Sequence, residues 1–185
     1  LRKKIIRAYP EAKYSLHCRP YLEHFVKVKN PGVDVNKIED DKCLLINGRI
    51  IAPPNLSEII PLKGEDKLFM CGDSIIAARV SGKKLNEIKE NLYDLLSESN
   101  FDGLPIEQVD VTCADYVWDL VRKNPDELRC DFEQLMNENR KNGNIRGKVF
   151  DGAHLVEKDN IFIEEGAVIK PGAVLDASSG PVYID

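Results

Sequence analysis

The sequence predicts an α/β domain followed by the start of a left-handed parallel β-helix built from hexapeptide repeats. Three observations carry this. Helix-period segments and short apolar runs alternate through the larger, N-terminal part of the chain. Aliphatic residues then recur every six positions at Ile163, Ile169 and Leu175, each followed four places on by a small residue, Ala167, Ala173 and Ser179. Between the two regimes, over residues 141–148, helical periodicity is lost. In a hexapeptide coil the aliphatic residue points inward and the small one fits the corner, and the coil needs neighbours stacked on it to bury its interior. The expected division is an α/β domain over residues 1–144 and about one coil over residues 145–185.

Taken in order, residues 1–8 form the first expected helix, with Leu1, Ile5 and Ala8 on one stripe and Tyr9-Pro10 closing it. Tyr14–Cys18 reads as a strand. Pro20 suits the first turn of a helix whose Leu22, Phe25 and Val26 face inward, and Asn30-Pro31-Gly32 stops it. The uniformly apolar Cys43–Ile46 suits a central strand covered on both faces. Arg49–Ala52 is extended again, so the intervening Asn47-Gly48 reads equally as a hairpin turn and as part of a ligand site. Lys67–Cys71 and Ser74–Val80 flank Gly72-Asp73 as a second hairpin. Residues 83–98 carry Leu85, Ile88, Leu92 and Leu95 or Leu96 at helical spacing, an amphipathic surface helix. Val109–Cys113 is a strand. A helix from Asp115 carries Trp118, Leu120 and Val121, and Trp118 among these apolar neighbours reads as core rather than as a base-stacking platform. Asn124-Pro125 interrupts it, and a second helix over Asp126–Arg140 presents Leu128, Phe132, Leu135 and Met136. The order helix, strand, helix, strand predicts a parallel sheet.

The chain of 185 residues is long enough to bury a sizeable core. Its net charge of -5 offers no broad basic face, which disfavours nucleic acid as a partner. The five cysteines, Cys18, Cys43, Cys71, Cys113 and Cys130, are odd in number and form no C-x-x-C pair. They read as small hydrophobes in a reducing cytoplasm rather than as a disulfide frame or zinc site. No apolar run reaches membrane-spanning length and no signal-peptide pattern opens the chain, so no membrane partner is expected. The chain opens with Leu inside an apparent helix, and the expectation is that residues precede it.

Self-standing catalytic motifs are absent: the residues contain no Walker A, no dinucleotide glycine fingerprint, no G-x-S-x-G and no H-E-x-x-H. His17 and His24 flank Arg19-Pro20 and read as surface or partly buried histidines. His154, at the entry to the coil, reads as a polar residue of the first rung, with a general base for acyl transfer as the sharper alternative.

A set of segments occurs in a recognisable order: Leu16-His-Cys-Arg-Pro-Tyr-Leu22, Val33-Asp-Val-Asn36, Leu44-Leu-Ile-Asn-Gly-Arg-Ile50, Gly72-Asp-Ser-Ile-Ile-Ala-Ala-Arg79, Trp118-Asp-Leu-Val121 and His154-Leu-Val156. The tail from Ile169-Lys-Pro-Gly to Gly180-Pro-Val-Tyr-Ile184 completes it. Over nearly its whole length the chain resembles a family of sugar nucleotidyltransferases related to the bacterial bifunctional N-acetylglucosamine-1-phosphate uridylyltransferase/glucosamine-1-phosphate acetyltransferase.

The resemblance implies a Rossmann-like nucleotidyltransferase domain ahead of a longer left-handed β-helix. It implies attack of a sugar-1-phosphate on the α-phosphate of a nucleoside triphosphate, with pyrophosphate released, and Mg²⁺ on the phosphates. It implies a homo-oligomer, with coils packed as a trimer that binds acyl-coenzyme A where active. Arg19, Asn47, Gly48 and Arg49 are the residues expected to line the nucleotide or sugar-phosphate cleft, the two arginines as bidentate phosphate contacts. No residue is assigned to the chemical step or to a metal. The family's Gly-rich loop is not among these residues. Where the family places a metal-binding Asp after a Gly, this chain resembles it with Asn47-Gly48-Arg49, a cation in place of a carboxylate. Two other functions stay open: a binding or assembly module without catalysis, and an acyltransferase acting through coils beyond Asp185.

Overall fold

The computed structural model describes residues 1–90, 96–139 and 143–185. The chain divides into two compact units, Leu1–Asp115 and Tyr116–Asp185.

In the first unit, helix α1 (Arg2–Ala8) forms as its stripe predicts and ends at Tyr9, ahead of Pro10. Tyr9 buries its ring and donates its hydroxyl to the Ile60 carbonyl at 2.7 Å. Strand β1 (Ser15–Leu16) leads to a 3₁₀ turn over Pro20–Leu22 and helix α2 (Glu23–Lys29), with the proline in the first turn. The inward reading of this helix is corrected: Leu22 and Phe25 are exposed and Val26 is half-buried. Strand β2 (Asp34–Val35) pairs parallel with β1.

Strand β3 (Lys42–Ile46), helix α3 (Leu56–Ile59), β4 (Lys67–Cys71), β5 (Ser74–Ser81), helix α4 (Gly82–Glu90) and β6 (Ile106–Gln108) complete the unit. The four strands lie in the order β3-β5-β4-β6. The sheet is mixed rather than parallel: β5 runs antiparallel to β3 and to β4, and β6 returns parallel to β4. The cause is local. Gly72, at φ 57°, turns β5 directly back along β4, as the Gly-Asp signal predicts, and β3 then takes the free side of β5. Strand β3 is therefore at the edge of the sheet, not at its centre.

Both faces of the sheet are covered. Phe69 and Ala77 join Tyr9, Ile50, Leu56, Ile60 and Val111 on one side. Leu68, Met70, Ala78 and Val80 join Leu85 and Ile88 of α4 and Phe101 on the other. Burial on both faces explains why these strands read as continuous apolar runs without being parallel. The pairing slips between Phe69 and Met70, where Ala77 and Ile75 are the successive partners, so Ile76 bulges from β5 and stays with the first cluster.

The helix expected over 83–98 is present to Glu90; Leu92 and Leu95 lie outside the described residues. Leu96 packs against the second cluster without being helical, and a short 3₁₀ turn follows over Glu98–Phe101. Residues 49–52 do not fold back on β3 as expected. Ile50 bridges Cys113, the Ile51 N–H donates to the Thr112 carbonyl at 2.8 Å, and the Ala114 N–H to the Arg49 carbonyl at 2.9 Å. The turn carries the chain to a segment distant in sequence rather than into a hairpin.

The second unit opens with helix α5 (Val117–Asn139), which runs through Pro125. The expected interruption does not occur: the proline removes one backbone hydrogen bond from a 23-residue element without dividing it. Trp118 is exposed, against its reading as core, and so are Leu120 and Val121, whereas Phe132, Leu135 and Met136 are half-buried.

Six short strands follow: β7 (Lys148–Val149), β8 (His154–Val156), β9 (Ile161–Ile163), β10 (Val168–Ile169), β11 (Val174–Asp176) and β12 (Val182–Ile184). They form three separate parallel ladders, β7 with β10, β8 with β11 and β9 with β12. Each of the first three strands thus pairs with the strand three further along the chain, about 20 residues on, so the segment is laid down in two layers. Ile163, Ile169 and Ala167 are buried inside, with Leu175 and Ala173 packed against them. Ser179 is not a corner residue. An extra turn, in which the Gly180 N–H donates to the Ala177 carbonyl, lengthens the step to β12, and Ala177 is buried instead.

Candidate functional site

Three of the four residues expected to line a cleft share the turn that leaves β3. Asn47 is held on all sides. Its backbone N–H donates to the Ile76 carbonyl at 2.9 Å, and its side-chain Nδ2 to the Ile75 carbonyl at 2.8 Å. Its Oδ1 accepts the Arg49 N–H at 3.0 Å and its carbonyl the Ile50 N–H at 3.2 Å. The bulge of β5 presents the two carbonyls that Asn47 uses, so the local break in pairing builds the turn. Asn47 is a turn-forming residue, and its amide oxygen is already engaged.

Gly48 is exposed, its φ is not positive, and a Cβ added there meets no atom within 4 Å. Open space on that side leaves the backbone approachable by a ligand. Arg49 projects from the same turn with its side chain 53% exposed, and its Nη1 lies 3.6 Å from Oδ1 of Asp115. At this exposure such an ion pair contributes little to stability and yields readily to a stronger anion.

Arg19 stands elsewhere in the unit. It follows β1 with an extended backbone (φ -58°, ψ 144°), as residues before proline do, and its exposed guanidinium donates to the Tyr21 hydroxyl at 3.2 Å. The turn 47–49 and Arg19 thus occupy ends of strands from two different sheets.

The neighbouring thiols are quiet. Burial pushes the Cys113 thiol up, against the opposing pull of Arg49, and pushes Cys43 up to about 11. A raised thiol pKa disfavours the nucleophilic thiolate. His17, His24 and His154 are exposed; His154 lies on β8 opposite Val174. Within the second unit a separate concavity of about 330 Å³ is lined by Arg129, Phe132, Glu133, Asn160 and Ser178 among others, and by none of the four expected residues.

The model of the sugar nucleotidyl transferase family matches residues 1–140. The chain belongs to the sugar nucleotidyl transferase family. The matched stretch contains Arg19, the 47–49 turn and most of α5. A search of the curated proteins finds no match to the chain.

Three residues of this sugar nucleotidyl transferase domain escaped the sequence reading. Arg79 is buried within β5. It donates through Nε to the Glu65 carbonyl and through Nη1 to the carbonyls of Pro61 and Lys63, at 2.5, 2.5 and 3.0 Å, with its guanidinium 5.5 Å from the Phe69 ring centre. One clue was available, a lone arginine inside an apolar strand. Asp115, the partner of Arg49, read only as a helix start. Asn36 stood only as the end of the segment Val33-Asp-Val-Asn36, with no chemical role attached to it.

Proposed function

We propose that the protein is a sugar-1-phosphate nucleotidyltransferase. A phosphate oxygen of the sugar-1-phosphate attacks the α-phosphorus of a nucleoside triphosphate, the bond from that phosphorus to the bridging oxygen breaks, and pyrophosphate leaves. The family match over residues 1–140 carries this reading. Family membership supports the class of reaction.

Arg49 and Arg19 are the phosphate contacts in this proposal. Arg49 exchanges Asp115 for a phosphate oxygen pair, which offers two acceptors in the plane of the guanidinium. Gly48 gives the ligand room against the backbone. Such contacts bind and orient, which is most of what a protein supplies in phosphoryl transfer. Mg²⁺ would supply charge neutralisation on the phosphates. The side chains of residues 47–49 bring it no carboxylate: Asn47 Oδ1 already accepts the Arg49 N–H, and Arg49 is a cation. Among the described residues no group of three His, Cys, Asp or Glu is placed to hold a metal.

The cation in the place of a carboxylate also favours a second reading, a domain that binds sugar nucleotides without transferring them. The three parallel ladders support a further element of the proposal, that residues 145–185 begin a left-handed β-helix following a Rossmann-like domain over residues 1–144. Kinship with the bifunctional uridylyl- and acetyltransferases, trimeric coils and an acyl-coenzyme A site beyond Asp185 belong to the same reading. Five free cysteines suit a reducing cytoplasm, and among the described residues no helix is long and apolar enough to cross a membrane.

Thermal unfolding against a panel of nucleoside triphosphates and sugar nucleotides, with and without Mg²⁺, tests the proposal. A ligand at 100 times its dissociation constant adds about 2.7 kcal/mol and raises Tm by several degrees. A selective shift followed by pyrophosphate release with a sugar-1-phosphate establishes transfer. Binding without release establishes the second reading, and a flat panel removes both.

A further inference from the structure

The Arg19 turn is held from both sides by one residue outside it. Asn36 follows β2 with a left-handed backbone, φ 55°, a region that few residues besides glycine occupy and that asparagine tolerates. Such a conformation persists where the surroundings determine it. Here three hydrogen bonds do so. The Asn36 N–H donates to the Leu16 carbonyl at 2.8 Å. Its Oδ1 accepts the Cys18 N–H at 2.9 Å, and its Nδ2 donates to Oε2 of Glu23 at 3.1 Å. Leu16 ends β1, Cys18 immediately precedes Arg19, and Glu23 opens α2. Glu23 is in turn paired with Lys27 one helical turn on. Pro20 fixes its own φ inside the bracket. The side chain must both accept and donate. Aspartate at this position would set a carboxylate against Glu23, and serine would be too short to reach both partners.

We propose that Asn36 is a positioning residue for phosphate recognition: it orients the Arg19 turn so that the guanidinium meets a phosphate of the bound ligand. This rests on the reading of Arg19 as a phosphate contact. Asn36 itself touches no ligand; it acts by removing alternative courses of residues 17–22.

The probe is inorganic pyrophosphate, the product common to every such transfer whatever the base or sugar. Its affinity is measured by calorimetric titration of the full chain, and the Arg19 Nε–H resonance is followed by NMR in the same samples. Asn36→Gly keeps the left-handed backbone without strain and deletes both side-chain hydrogen bonds. Arg19→Ala is expected to weaken pyrophosphate binding. Asn36→Gly is expected to weaken it by about tenfold with the fold retained, and to abolish the pyrophosphate-induced shift of Arg19 Nε–H. The double variant is expected to bind no more weakly than Arg19→Ala alone, since both changes remove one interaction. Unchanged affinity in Asn36→Gly beside a weakened Arg19→Ala overturns the positioning role and leaves the Arg19 contact standing. Additive losses overturn it as well. Unchanged affinity in Arg19→Ala removes the contact itself, and the proposal with it. If Asn36→Gly does not fold, Asn36→Asp, which keeps the acceptor for Cys18, is expected to bind between wild type and Arg19→Ala; wild-type affinity there overturns the proposal.

Discussion

In residues 145–185 the partner of each strand repeats at a near-constant distance along the chain: Lys148 pairs with Val168, His154 with Val174, Ile161 with Val182. In the sheet of the first unit Leu44 faces Arg79 from one side while Leu68 faces Ala78 and Ile106 from the two sides of its strand. The first region repeats one pairing rule. The second combines a hairpin, a crossover and a bulge, each with its own cause. A repeat writes its register into the sequence; a mixed sheet decides its register only when distant segments meet.

The comparison can be broken most forcefully in the repeat. A Cβ at Gly147 would lie 2.6 Å from the Ala167 carbonyl oxygen and 2.8 Å from that of Glu164. These atoms belong to the neighbouring layer's backbone and cannot swing away. Gly147→Val is expected to cost about 3 kcal/mol or more, and Ile163→Ala, which empties a fully buried position of the same interior, about 3–4 kcal/mol. Denaturant midpoints at constant m-value measure both. Losses under about 1 kcal/mol would mean that the two layers are not packed on each other.

Next comes the sheet. Arg79→Met keeps the apolar stem but leaves the carbonyls of Pro61, Lys63 and Glu65 without their donor. We expect a loss of about 2–3 kcal/mol, with faster amide exchange confined at first to residues 61–66. Uniformly faster exchange would show instead that Arg79 supports the whole sheet rather than one loop.

A smaller effect separates burial from pairing. Burial raises the Tyr9 hydroxyl from its ordinary value to about 12. The folded state thus holds this proton more tightly than the unfolded chain. Its stabilising contribution is complete below pH 10 and is lost as pH rises from 10 through about 12. Tyr9→Phe should cost about 1 kcal/mol at neutral pH and flatten that alkaline fall. An unchanged alkaline limb would assign it to other groups.

The smallest expected change in stability is at the candidate site. Arg49→Ala and Gly48→Ala should each move it by less than about 0.5 kcal/mol, since both positions face open surroundings. Arg49→Ala should nevertheless weaken phosphate binding, read with the same pyrophosphate titration. Unchanged affinity would withdraw Arg49 from the site.

Several elements were legible in advance because their causes are local. Helix α1 follows from its stripe, the β4–β5 hairpin from Gly72-Asp73, and the inward places of Ile163, Ile169 and Leu175 from their six-residue spacing. The exposure of Leu22 and Phe25 in and before α2, and of Trp118 at the start of α5, is not legible for the opposite reason: periodicity marks a stripe but not what lies against it. Of the candidate site, the sequence alone determined that Asn47, Gly48 and Arg49 would share a turn, because neighbours in the chain cannot part. Only the tertiary structure decided that this turn bridges to residues 112–114, that Arg49 meets Asp115, that Arg79 lies beneath a loop, and that Asn36 brackets Arg19. Each of those contacts joins residues distant in sequence, and their free energy exists only after the intervening chain has been ordered.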